Sequence, residues 1–394
     1  MSYALTQWRA ETPGCATRLH LNNAGASLMP AVVHDAITAH LRRESLEGGY
    51  EAADSAEALI ARAYADLASL VGAAPRNIAV VASATQGFAL ALSSVDFAPG
   101  DVLLTSSDDY VSNQLMYLSL AARRGVRVVR CPDAPEGGVD VAAWDALLRR
   151  ERPKLAALTW IPTNSGLIQP AAAVGARCRA AEVPLLLDAC QAVGQVEVDV
   201  RALQCDYLST TARKFLRGPR GIGFLVVSDA ALARGDAPLL VDMRGARWTD
   251  ADAYALVDDA RRFEDWEFPY ALVLGMGAAA RYASDIGLAV IETRAHALAQ
   301  QARDHFSRLP GVRGLDRGVQ LSAIATFTVQ GRVARDLVLR LREQRINTSA
   351  QSRGDAVIDL DRKGAETLLR VSPHYFNTDE EIEQAALALG RLLA

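Results

Sequence analysis

A lysine, an aspartate and a cluster of small polar residues stand out in this chain because each closes a short apolar run. Ser83-Ala84-Thr85-Gln86-Gly87 opens a helical stretch, so free backbone amides, hydroxyls and the positive helix end meet at one point, a setting suited to a phosphate. Asp188 follows Leu185-Leu186-Leu187. A carboxylate in such surroundings wants a cationic partner, because an unpaired buried charge is costly, and a protonated pyridine nitrogen would supply it. Lys214 ends another strand and precedes Gly218-Pro219-Arg220-Gly221-Ile222-Gly223, a tight turn into the next one. Beside the cationic Arg213 and partly desolvated, its amine would fall below the ordinary value of about 10.4 and could form a Schiff base.

Amine chemistry has few other candidates. Lysine occurs only at Lys154, Lys214 and Lys363, and the remaining 39 of 42 basic residues are arginine. Lys154 follows Arg152-Pro153 at the start of a strand, the wrong end for a site, and Asp361-Arg362-Lys363-Gly364 reads as an exposed turn. Further polar residues at strand ends are Asp109-Tyr110, Thr163-Asn164, Gln191 and Thr211 through Lys214. Taken singly, each has an ordinary explanation as a helix cap, a turn residue or a solvated charge. Taken together, a phosphate cradle, a pyridinium partner and an imine-forming lysine are the three protein parts that pyridoxal phosphate requires.

The elements that must position these residues follow from periodicity. From about Asn77 onward, short apolar runs alternate with helical patterns, the signature of parallel βα units. Strands are expected at Ile78–Ala82, Val102–Thr105, Arg127–Cys131, Leu155–Trp160, Pro184–Leu187, Asp206–Thr210 and Ile222–Val227. Helices are expected at Gln86–Ser94, Gln114–Arg124, Val141–Arg149 and Ala171–Ala181. In such open α/β sheets, ligands sit beyond the carboxyl ends of the strands. The pattern changes after about residue 260. Two long helices (Tyr270–Ile286 and Ala289–Leu309) precede a strand at Ala323–Val329, a helix at Val333–Gln344, and strands near Ile346–Ser349 and Thr367–Ser372. Thr378 and Glu381 form a capping box for the last helix. The expected organisation is an N-terminal segment (1–30) lacking sheet periodicity and packing across both parts, a large mostly parallel α/β domain (31–264), and a smaller α+β domain (265–394).

Composition narrows the function. The chain has 394 residues, half of them hydrophobic and 22% charged, enough to build a packed core. A formal net charge of −4 gives no basic footprint for nucleic acid, and no apolar run approaches the roughly 20 residues of a membrane-spanning helix. Residues Met1 to Glu11 lack the apolar core of a signal peptide. Five scattered cysteines with no CxxC pair argue against a disulfide framework or a structural zinc site, and fit a reducing cytosol.

In motif order the chain resembles the class V aminotransferase family of fold-type I pyridoxal-phosphate enzymes, which includes cysteine desulfurases, selenocysteine lyases and isopenicillin N epimerase-like proteins. Leu21-Asn22-Asn23-Ala24-Gly25 is similar to that family's L-D-N-A-A element, and Ser83-Ala84-Thr85 to its phosphate loop. Leu186 through Ala192 resembles V-D-G-A-Q-A, and Ser209 through Gly223 the lysine block. Arg370-Val371-Ser372 with Phe376-Asn377-Thr378 resembles R-x-S…Y-N-T.

The resemblance implies roles. Lys214 would hold the cofactor aldehyde and move protons at the substrate Cα, and Asp188 would pair with the pyridine nitrogen. Gln191 and Asn164 would approach the ring oxygen, Tyr110 would stack on the ring, and Ala84, Thr85, Thr211 and Arg213 would hold the phosphate. Arg370 would clamp the substrate carboxylate, with Asn22, Asn23, Ser349 and His374 around the side chain. A homodimer with a shared site is implied: Arg262-Phe263-Glu264 is similar to the family's R-F-E element, which precedes a loop reaching the partner's cofactor, and here Asp265-Trp266-Glu267 follows it in place of the usual A-G-T. Departures from the family pattern are Tyr110 and Arg213 in place of histidines, and the absence of any cysteine after Cys205, where desulfurases carry their nucleophile. The expected reaction is therefore β-elimination from a cysteine-derived amino acid, a C–S lyase; transamination to a keto acid is the alternative, and epimerisation the third.

Overall fold

The computed structural model describes residues 3–394. A seven-stranded sheet runs in the order Ile78–Val81, Gly223–Val227, Tyr207–Thr211, Leu185–Asp188, Leu155–Thr159, Val102–Thr105, Arg127–Arg130. Only Gly223–Val227 is antiparallel to its neighbours. The inner strands are buried throughout, which explains why they read as continuous apolar runs rather than alternating ones. Gly223 sits where a Cβ would fall 2.2 Å from the Thr210 carbonyl oxygen, so the strand after the lysine turn can close on its partner only with glycine there.

Three long helices cover one part of the sheet. Ala31–Glu47, Glu57–Leu70 and Tyr270–Ile286 pack on each other, closely enough that a Cβ at Gly277 would meet the Ala63 Cβ at 2.5 Å. The Tyr270–Ile286 helix, grouped from sequence with the C-terminal part, thus contributes Val273, Met276 and Ala280 to the core around the large sheet. The following helix, Leu288–Ser307, spans two cores: Ile291 and Ala295 face that one, Leu298 and Phe306 a second. This second core backs a four-stranded antiparallel sheet in the order Val312–Gly314, Ala325–Val329, Thr367–Val371, Ser349–Ser352. The single expected strand near 346–349 is in fact two, since Ile346–Asn347 pairs with Leu19–His20 and Ser349–Ser352 joins the four-stranded sheet.

The N-terminal segment therefore contains a short strand that its sequence did not signal. It touches both parts: Asn22 bridges to Ser372, and Arg217 donates to the Leu28 carbonyl and the Thr12 hydroxyl. A second unsignalled feature is the hairpin Ala246–Asp250/Ala253–Leu256, whose Trp248 and Tyr254 are exposed. Its strands are too short and too polar to show a buried alternation. Among the described residues, no helix is long and apolar enough to cross a membrane.

Candidate active site

The carboxyl ends of the central strands meet around a cavity of about 280 Å³, walled by Thr85, Tyr110, Asp188, Gln191, Thr211 and Lys214 among others. A second space of about 260 Å³ shares Tyr110, Thr163, Arg213 and Lys214 and opens toward the small sheet, reaching Ser349 and Arg370.

Lys214 is buried, and burial pushes its amine below the lysine range, helped by Arg213 and Arg370 nearby. Among the described residues its Nζ has no hydrogen-bond or ion-pair partner; it lies 5.8 Å from the centroid of the Tyr110 ring. The loop after it is held from behind by Gly194, which has a positive φ of 84° and packs where a Cβ would fall 2.4 Å from the Leu216 nitrogen.

Asp188 is the floor of the cavity. Its Oδ1 accepts from the Cys190 amide at 2.9 Å and its Oδ2 from Asn113 Nδ2 at 2.9 Å. Asn113 also donates to Asp109 Oδ1 at 3.0 Å, and Thr159 and the Tyr110 amide donate to the same oxygen. Burial pushes the Asp109 carboxyl upward, while these donors and Asn113 pull against it. A carboxylate so held cannot rotate away from the cavity, and a ring nitrogen above it would meet an oriented acceptor.

At the phosphate end, Ser83 caps the Ala84–Ser93 helix by accepting from the Gln86 amide at 3.1 Å. That leaves the cavity facing the first turn of the helix, Thr85, Thr211 and Arg213. Arg213 donates to the Gly25 carbonyl, and burial together with the neighbouring Arg220 lowers its pKa. Arg220 lines the same cavity. It lies inside the glycine-rich turn, where a single arginine among turn residues carries no signal of its own in the sequence.

Gln191 Nε2 donates to the Ala24 carbonyl at 3.0 Å and to Thr163 Oγ1 at 2.8 Å, leaving its buried Oε1 without a partner. Arg370 is buried and, among the described residues, forms no ion pair: Nη1 donates to the Thr163 carbonyl and hydroxyl, Nη2 to Asn22 Oδ1 at 3.3 Å, and Nε is unpartnered. A buried guanidinium with spare donors and no ion-pair partner is an anion site.

Three expected site residues lie elsewhere. Asn164 donates to Asp359 Oδ2 at 2.6 Å, keeps its buried Oδ1 without a partner and walls neither space; its neighbour Thr163 takes the place beside Gln191 and Arg370. The two are adjacent on one loop, and which of them turned inward was not readable from their order. Asn23 is buried as a strut, donating to the Ser372 carbonyl and accepting from Ser27. His374 is a core residue, with Nε2 against the Phe215 carbonyl at 2.8 Å and the ring among Phe215, Tyr375 and Phe376. Lys363, read as exposed, is buried against Asp359 at 2.7 Å, and Lys154 pairs with Asp101 at the far end of its strand.

The residues present fit pyridoxal phosphate: an unpartnered buried amine, an oriented carboxylate beneath, an orphaned amide oxygen at the side and a cationic helix terminus. Known proteins point the same way. Over 389 residues the chain is 29% identical to a protein of Mycobacterium tuberculosis named "Probable hercynylcysteine sulfoxide lyase", covering 97% of this chain and 92% of that one. It is 28% identical over 380 residues to a cysteine desulfurase of Synechococcus elongatus, covering 94% of this chain and 60% of that one. Its fold matches C-DES, solved in complex with its reaction product cysteine persulfide and described there as a cystine C-S lyase, at a TM-score of 0.85 and 24% identity, over 96% and 99% of the two chains. The aminotransferase class-V description matches residues 19–385, and the chain belongs to that family.

Proposed function

We propose that this chain binds pyridoxal 5'-phosphate through Lys214 and catalyses β-elimination from a cysteine-derived amino acid, releasing the sulfur with its substituent. When bound, the cofactor supplies an electron sink that makes the substrate Cα proton acidic. The chain's own residues support the rest. Arg370 would hold the α-carboxylate through its free Nε and Nη donors, Tyr110 would lie against the ring, and Asp188 would pair with the ring nitrogen. Lys214, lowered by burial, would hold the cofactor aldehyde and move the proton at Cα.

The observation that carries elimination with loss of the thiol is the make-up of the mouth. The segment lining it ahead of Arg370 contains Ser349, Ala350, Gln351 and Asp355 and no cysteine. Cys190 is the one cysteine that walls the cofactor cavity among the described residues, and burial beside Asp188 pushes its thiol up, away from the thiolate a sulfur acceptor needs. A relative named for sulfoxide lysis supports the same reading.

We infer a homodimer from the exposed apolar side chains of Leu239, Leu240, Met243, Trp248 and Tyr254, which favour burial against a second copy; Trp266, half exposed, is tied to the same stretch by its amide on Asp242 Oδ2 at 2.7 Å. The test is incubation of the holoenzyme with cysteine, S-substituted cysteines and alanine, without added keto acid. Pyruvate, ammonia and thiol are expected. Stoichiometric conversion to the pyridoxamine form instead makes it an aminotransferase, and solvent deuterium at Cα without net product an epimerase.

A further inference from the structure

The two antiparallel strands at the mouth set a pattern that the proposed reaction does not use. Ser349 lies directly opposite Arg370, and Gln351 follows two residues on, so Ser349, Gln351 and Arg370 project from one face of the small sheet. All three line the space that contains Tyr110 and Lys214. Arg370 presents spare donors there, whereas Gln351 presents a spare acceptor: its Oε1 is buried and has no partner. Beyond Gln351 the chain makes one short turn, Arg353–Asp355, that carries Asp355 to the same wall. Asp355 uses Oδ2 to accept from the Ser352 amide and hydroxyl, at 2.8 and 3.0 Å. Among the described residues it forms no ion pair with Arg370 or any other cation, although its charge is felt at Arg370. The neighbouring Arg353 is committed to Asp361.

This turn is fixed from the far side. The helix after it, Val357–Lys363, is pinned to the large domain by Asn164 on Asp359, and by Arg362 on Asp133 and the Ser107 hydroxyl. The mouth therefore has two chemically distinct ends: cations and donors at Arg370 and Arg213, acceptors at Gln351 and Asp355.

We propose that the Gln351–Asp355 wall selects substrates whose departing sulfur substituent carries a cationic or hydrogen-bond-donating group, so that the enzyme reads a carboxylate at one end and a positive end at the other. This rests on the lyase reading above for its choice of substrate, and not for the charge preference itself. Asp355 is exposed, so solvent limits its effect, and a single contact is worth about three- to fivefold. Attraction of a cation and repulsion of an anion together give about tenfold between the two.

The experiment compares S-(2-aminoethyl)cysteine, S-propylcysteine and S-carboxymethylcysteine on the holoenzyme, reading kcat/KM for pyruvate and, separately, dissociation constants from the change in cofactor absorbance. The aminoethyl compound is expected to exceed the carboxymethyl one by about tenfold at low salt, with the gap shrinking as salt rises. Asp355→Asn should close most of that gap while leaving S-propylcysteine within about twofold. Gln351→Leu should weaken the aminoethyl compound alone. Equal or reversed preference in the unmodified enzyme, or a gap that Asp355→Asn does not move, overturns the proposal. If no compound yields pyruvate, the lyase reading fails, and the binding order alone decides the charge preference.

Discussion

Beneath the cavity, Asp188 accepts from Asn113 and the Cys190 amide, and Asp109 behind it accepts from Thr105, Thr159, Gln114 and the Tyr110 amide. At the mouth, Arg370 Nε and Gln351 Oε1 are buried and have no partner among the described residues. The floor is satisfied within the protein, so its geometry is set before any ligand arrives. The mouth is left unsatisfied, so part of its hydrogen bonding is completed by what binds. Buried polar groups without partners are costly, so Arg370 Nε and Gln351 Oε1 at the mouth, like Gln191 Oε1 beside the cofactor cavity, mark where a ligand supplies the missing bonds. A floor of this kind suits a resident cofactor; a mouth of this kind suits a substrate that comes and goes.

Substitutions on the two sides should separate accordingly. Lys214→Ala should lower turnover by at least about 1,000-fold, since it removes both the cofactor tether and the proton carrier; borohydride reduction with peptide mapping should place the cofactor on Lys214, and label on Lys154 or Lys363 would sink the assignment. Asp188→Asn should cost about 100-fold or more in kcat, with the cofactor still bound through its phosphate. Arg370→Ala belongs to the mouth and should act mainly on KM, raising it about 10- to 100-fold with a smaller change in kcat. A kcat loss equal to that of Asp188→Asn, with KM unmoved, would erase the distinction between the two regions. Asn113→Ala leaves Asp188 Oδ2 without its donor and should cost about tenfold in kcat, together with a shifted pH dependence of the cofactor absorbance.

The same contrast governs what could be read in advance. Lys214, Asp188 and the Ser83–Thr85 turn were legible because each ends or begins a strongly periodic element, and position along a parallel strand places a residue at the carboxyl edge. Gln191 and Arg370 came with the family's motif order and take up positions at the cavity. Residues on irregular loops were not legible: Thr163 and Asn164 differ by one position, and only the turn conformation decides which faces Arg370. Arg370-Val371-Ser372 was readable as a strand, but His374, two residues past it, enters the aromatic packing around Phe215 rather than the substrate space, because a strand's alternation stops where the strand does. The acceptors at Gln351 and Asp355 gave no signal, since a polar turn in sequence looks alike whether it faces solvent or a cavity.

His374 lies on the seam between floor and mouth, and its titration tests whether that seam is structural. Its ring is fully buried, donates to the carbonyl beside Lys214, and has Nδ1 unpartnered; burial lowers its pKa from the ordinary 6.5 to about 3. His20 and His296 are lowered to about 4 for the same reason. Below pH 6.5 the unfolded chain takes up protons that the folded one refuses, so these groups stabilise fully above that value, and the contribution is lost as pH falls toward 4 and then 3. For His374 the slope is at most about 1.4 kcal/mol per pH unit. Melting temperature should therefore begin to fall just below neutrality, before most carboxylates titrate. His374→Gln keeps a donor for the Phe215 carbonyl and removes the titration; its melting temperature should be lower at pH 7.5 but decline less steeply between pH 6.5 and 5. Parallel declines in the two proteins would mean that the seam does not depend on a neutral imidazole, and that the floor and the mouth are joined elsewhere, with Arg217 and its contacts to Thr12 and Tyr375 the next place to look.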